Sequence, residues 1–152
     1  MMQSRRIDPL LRRAQEHEDA VARDLAERQR AHQLQESRLE ELRRYAEEYA
    51  SSQMAAISPA QLANRRAFLD RLESAVEQQT RNVDLSRQRL EAERARLLLA
   101  SRDKQVLEQL AASYRAQEQK IDERRSQREM DDLGARRVRA AQQEARREGE
   151  VQ

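Results

Sequence analysis

Apolar side chains recurring every seven residues, with a single interruption, constrain this chain more than any other feature. Leu62, Leu69, Val76, Val83, Leu90 and Leu97 fall at that interval, and Leu72, Ala100, Leu107, Tyr114 and Ile121 take the complementary positions between them. Upstream, Leu11, Ala14, Glu18, Val21, Leu25, Arg28, His32, Gln35, Leu39, Leu42, Ala46 and Tyr49 keep the same alternation of three and four. That spacing is the a/d seam of a coiled coil, a narrow stripe needing another helix to cover it. Polar residues enter both stripes: Glu18, Arg28, His32 and Gln35 in the first, and Gln79, Ser86 and Glu93 at d in the second. Packing is expected to be weakest there.

The interruption is segment 51–62, SSQMAAISPAQL. Ser58 suits an N-cap, Pro59 a first helical position that has no use for an N–H, and Gln61 the return half of a capping box. Ile57 and Leu62 flank the cap as a hydrophobic staple. Asp8-Pro9 reads as a similar start. A short connection makes two long helices antiparallel neighbours, so the expected fold is all-α. It is two long helices in an antiparallel coiled-coil hairpin, the second longer than the first: 8–51 and 59–133, a turn at 52–58, and a disordered, frayed or induced-helical tail at 134–152. A single helix kinked at Pro59 is the competing reading.

Folding about the turn pairs Tyr49 with Leu62, Leu42 with Leu69, Leu39 with Leu72 and Val21 with Leu90. At ~1.5 Å per residue the first helix is roughly 65 Å long and the second exceeds ~100 Å. On this pairing the first helix ends opposite about Asp103, leaving Val106, Leu107, Leu110, Ala111, Tyr114 and Ile121 without an intrachain partner, so that this segment either frays alone or is covered by a second protein.

Composition excludes several functions. Charged residues make up 38% and aromatics 3%, with only 2 Gly and 2 Pro, so a compact core wrapped by turns is not expected. Such polarity also suits disorder, and the heptads argue against it. Basic and acidic residues number 30 and 28, a net charge of +2, and acids are interleaved almost everywhere outside the cluster of Arg136, Arg137, Arg139, Arg146 and Arg147. That pattern gives no sustained stripe for nucleic acid. No cysteine is present, and His17 and His32 are too far apart in sequence to share a metal on one helix. No phosphate loop or nucleophile elbow occurs. Neither a catalytic residue, a cofactor nor a metal is therefore assigned. No apolar run approaches the ~20 residues of a membrane span, and a signal-peptide core is lacking, so a cytoplasmic protein is expected.

The flanks of the seam are more informative. In an antiparallel pair the two g edges meet, which puts Tyr45 beside Phe68 and Ala75, with Leu42, Tyr49 and Leu72 next to them. Extra packing is one reading of this patch, and an anchor for a partner protein is the favoured one. A second apolar line, Leu85, Ala92, Leu99 and Val106, runs along the outer face of the second helix. It reads as a contact for a third helix or a second copy.

These residues also carry a family likeness. DPLLRRAQ near the start, RLEELRRYAEEY, NRRAFLDRLESAVEQQ and the late ERRSQREMDDLGARR resemble the FliJ family of the bacterial flagellar type III export apparatus, over residues 7–137. Tyr45 with Tyr49, Phe68 with Leu72 and Ala75, then Gln127, Met130 and Asp131, form the more specific part of the match. The resemblance implies a stalk-like, non-enzymatic protein between the export ATPase, FliI, and the export gate, FlhA, which also assists export chaperones. It would lie on the cytoplasmic side of the inner membrane and meet the membrane only through the gate complex. Carried over position by position, the gate-contact pattern gives Leu42, Tyr45, Tyr49, Phe68, Leu72 and Ala75. Arg38 and Gln79 end the same stripes but depart from the glutamine and histidine of the family. The resemblance implies that paired terminal segments enter the ATPase ring, and the unpartnered Leu107, Leu110, Tyr114 and Ile121 are the residues read as serving that end. The stalk of an injectisome secretion system and a generic coiled-coil scaffold are the alternatives.

Overall fold

In the computed structural model, which describes residues 2–52 and 58–151, the chain forms two helices and, among those residues, no strand. Helix α1 spans Met2–Ser51 and α2 spans Pro59–Val151, 50 and 93 residues respectively. They lie antiparallel as a hairpin with the second helix longer, as the heptads require. The start of α2 follows from its cap. Ser58 N–H donates to Gln61 Oε1 at 3.1 Å, and Gln61 N–H donates to Ser58 Oγ at 3.2 Å. Leu62 N–H then bonds the Ser58 carbonyl at 3.0 Å, and the two orphan donors of the first turn are satisfied reciprocally. Ile57, the expected staple partner of Leu62, lies outside the described residues, as do the other residues of 53–57 within the expected turn.

Helix α1 begins six residues before the expected boundary at residue 8, and Pro9 sits inside it. An interior proline disfavours the preceding turn by ~3 kcal/mol, since a backbone hydrogen bond is lost and the ring crowds the carbonyl four residues back. Contacts with α2 hold that turn in place. Ile7 is 5% exposed, and Ser4 donates to the Glu118 carboxylate through its backbone N–H at 3.2 Å and its hydroxyl at 2.7 Å. Arg115 reaches Asp8 at 3.5 Å.

Packing divides the chain into two compact units, Arg13–Lys104 and Met1–Arg12 with Gln105–Gln152. In the first, Val21 and Leu39 of α1 and Leu72, Leu90 and Ala100 of α2 are buried. Each buried aliphatic side chain contributes roughly 1.5–3 kcal/mol, which makes the seam the main source of stability here. Exposed pairs such as Arg44 with Glu40 at 3.4 Å add little. Arg28 is the one expected seam position of α1 that is exposed.

The pairing differs from the expected one by a heptad. His32 Nδ1 lies 2.7 Å from Ser86 Oγ, whereas the expected register put Ser86 near Leu25. Tyr49 accordingly lies against Phe68, with ring centroids 4.5 Å apart, in the layer of Leu69 and not Leu62. By the same step Leu42 falls opposite Val76 and not Leu69, Leu39 opposite Gln79 and not Leu72, and Val21 opposite Leu97 and not Leu90. Leu62 extends past the end of α1 and is 49% exposed. Heptads repeat every seven residues, so apolar spacing alone cannot separate registers seven apart, and buried polar groups decide between them. Gln79, 8% exposed, donates through Nε2 to the Gln35 backbone carbonyl at 2.9 Å and its side-chain oxygen at 2.8 Å. Lys104 meets Glu18 at 3.4 Å; the expected register would have set Glu18 against Glu93.

In the second unit Ile7 and Ala111 are buried, and Leu107 and Tyr114 are half-buried beside them. Pairing therefore continues to Glu118, not Asp103, because α1 starts earlier and the register is one heptad further along. From residue 119 to 151 every residue is exposed and α2 is helical to Val151, through the segment for which a disordered, frayed or induced-helical tail is expected. Alanine, arginine, glutamate and glutamine dominate that stretch and favour helix intrinsically.

Candidate partner-binding surfaces

The aromatic edge of the Arg13–Lys104 unit follows directly from heptad geometry. Tyr45 and Phe68 both occupy g positions, and the antiparallel pairing brings those edges together. Their rings stand 6.3 Å apart at 81°, edge to face, and Phe68 lies 4.5 Å from Tyr49 at 60°. Such arrangements direct the positive edge of one ring to the negative face of the next. Tyr45 is 51% exposed, Tyr49, Phe68, Leu42 and Ala75 are half-buried, and Leu72 is 8% exposed. The six residues carried over from the family pattern thus fall at three depths. Tyr45 presents the surface, four residues form its flanks, and Leu72 belongs to the core beneath.

Two residues left out of that pattern line the same edge. Arg38 and Gln79 border a groove of about 510 Å³ together with Glu41, Leu42 and Tyr45. Across the seam a second groove of about 520 Å³ has Ala46, Ala50, Leu69 and Val76 among its walls.

Arg65 is the residue that sequence reasoning missed. Its guanidinium donates to the carbonyls of Ser52 at 2.9 Å, Ala50 at 2.9 Å and Tyr49 at 3.3 Å, and lies 5.8 Å from the centre of the Tyr49 ring. The last carbonyls of α1 have no intrahelical donors and carry the negative end of the helix dipole. Helix α1 has no basic residue in its last turn, so α2 supplies the cation. That missing base, with an arginine at a d position just after the next cap, was the available signal.

Neither histidine is placed for metal chemistry. His17 is exposed, while both ring nitrogens of His32 are engaged, Nδ1 with Ser86 and Nε2 with Glu36 Oε1 at 2.9 Å. Among the described residues, no group of three or more histidines and carboxylates is arranged to hold a metal. No helix there is long and apolar enough to cross a membrane.

In the unit that holds both termini, Leu107 and Tyr114 are seam residues, whereas Leu110 and Ile121 are 40% and 58% exposed. Ile121 shares a shallow groove of about 280 Å³ with Arg124, Arg125 and Arg128. Met130 and Leu133 are exposed further along α2, at 70% and 56%. The four residues assigned to the ATPase end therefore divide into two that hold the hairpin together and two that are open to a partner. Of the outer apolar line, Leu85, Ala92 and Leu99 are exposed in the first unit, and Val106 is exposed in the second.

No curated protein and no solved structure matches the chain. A family model described as "Flagellar FliJ protein" matches residues 2–143. The chain therefore belongs to the FliJ family of non-enzymatic flagellar export proteins.

Proposed function

We propose that this flagellar export protein couples the export ATPase to the export gate through two surfaces, one in each compact unit. The aromatic edge, Tyr45 with Tyr49 and Phe68 over Leu42, Leu72 and Ala75, holds the cytoplasmic part of the gate protein FlhA. The unit containing the termini, with Leu107 and Tyr114 in its seam and Leu110 and Ile121 outside it, enters the ring of the ATPase FliI. Export chaperones are handled by the same protein. It works on the cytoplasmic side of the inner membrane, which it meets only through the gate. The observation that carries this reading is the contact of Phe68 with both tyrosines on an accessible edge, since exposed aromatic clusters are the usual anchors of protein interfaces.

A pull-down of purified gate fragment tests the first surface. Tyr45→Ala with Phe68→Ala should reduce retention at least tenfold at unchanged helicity, and full retention would refute the assignment. The second surface is tested by removing residues 121–152, which spares the paired part of the seam. Stimulation of ATPase turnover should fall severalfold, and undiminished stimulation would move the ring contact elsewhere.

A further inference from the structure

We propose that the hairpin is a two-register device, in which α1 slides one heptad along α2 and polar pairs hold it in the register observed. The two registers satisfy different residues. The observed one places Leu39 opposite the buried amide of Gln79 and leaves Leu62 49% exposed. One heptad away, Leu39 meets Leu72, Leu42 meets Leu69, Tyr49 meets Leu62 and Val21 meets Leu90, all apolar pairs. A slip of seven residues, ~10 Å along the axis, returns a to d on both helices. Smaller slips do not restore the a–d pairing in every layer.

What opposes the slide is polar. The observed register contains Gln79 to Gln35 at 2.8 and 2.9 Å, His32 to Ser86 at 2.7 Å and Lys104 to Glu18 at 3.4 Å. In the other register the His32–Ser86 and Lys104–Glu18 contacts are broken, Gln35 stays within a turn of the position opposite Gln79, and Glu18 faces Glu93, whose side chain is 12% exposed and bonded to Arg96 at 3.0 Å. In the unit that holds the termini, Ser4 contacts Glu118 and Asp8 contacts Arg115. Discrete displacements of one packed element past another are an established kind of protein switch, and a ligand biases such an equilibrium by its preference for one state. Sliding takes Tyr49 away from Phe68, which it touches at 4.5 Å. A partner that grips both rings selects the observed register, and a partner that covers only one helix does not. The two registers themselves follow from the heptads and hold whichever proteins the hairpin meets.

The chain has no cysteine, so introduced pairs report register in the full-length protein. Val21→Cys with Leu97→Cys reports the observed register, Val21→Cys with Leu90→Cys the slid one, and Val21→Cys with Gln88→Cys, on the exposed outer face of α2, serves as the unmatched control. A disulfide bridges Cα atoms no more than about 7 Å apart. The slid pair should oxidise at least tenfold faster than the control. Glu93→Gln, isosteric and free of the Glu18 repulsion, should raise the ratio of slid to observed cross-linking at least threefold. Leu42→Cys with Leu69→Cys, compared with Leu42→Cys with Val76→Cys, repeats the measurement if the Val21 pairs lose helicity by circular dichroism. A slid pair no faster than the control in both backgrounds overturns the two-register proposal. A ratio unmoved by Glu93→Gln overturns the assignment of the polar pins.

Discussion

Arg65 shows how a single side chain can join two helices without entering the apolar seam. Its planar fork serves three carbonyls at the end of α1 and rests against the Tyr49 ring. It thereby offsets the dipole of one helix and steadies the Tyr49 ring. Arg65→Ala is expected to lower stability by about 1–2 kcal/mol, the upper range for a cation at a helix C-terminus. Arg65→Lys should recover only part of that loss, because an ammonium cannot match the fork geometry. Urea midpoints of the three proteins measure both effects. Ser58 and Gln61 were legible as a capping box because the motif is local. The part played by Arg65 was not, since it depends on which residue lies opposite the end of another helix.

At the level of the element, the helices were visible in the heptads, but two of their properties were not. The first turns of α1 persist before Pro9 because Ile7, Ser4 and Asp8 contact α2, and no propensity argument includes such contacts. Register is the second. In the expected pairing Leu39 and Leu62 are equivalent seam residues, whereas in the structure they are 8% and 49% exposed. Leu39→Ala should therefore destabilise by roughly 2–4 kcal/mol, and Leu62→Ala by about 0.5 kcal/mol or less. Chemical denaturation of the two variants separates the registers without further structural work, and equal losses would contradict the observed pairing. The grouping of Tyr45 with Phe68 was legible all the same, since a shift of seven residues leaves every side chain on the same edge of its helix.

For the molecule as a whole, stability and reach reside in different parts of the sequence. Every residue from 119 to 151 is exposed, so removing residues 121–152 should shorten the helix and leave the thermal midpoint within about 2 °C. Circular dichroism measures both, and a large fall in midpoint would show that the exposed helix supports the fold. The sequence by itself determined that the chain is two antiparallel helices of unequal length, where the second begins, and that its aromatic residues share an edge. Periodicity and capping are local or repeat at fixed intervals, and both survive without knowledge of the partner helix. Tertiary structure decided how far α1 runs toward its N-terminus, which of two heptad-equivalent registers it takes, and that pairing extends to Glu118. These depend on a few polar contacts between residues distant in sequence, such as His32 with Ser86 and Lys104 with Glu18, which decide between apolar matches that either register provides.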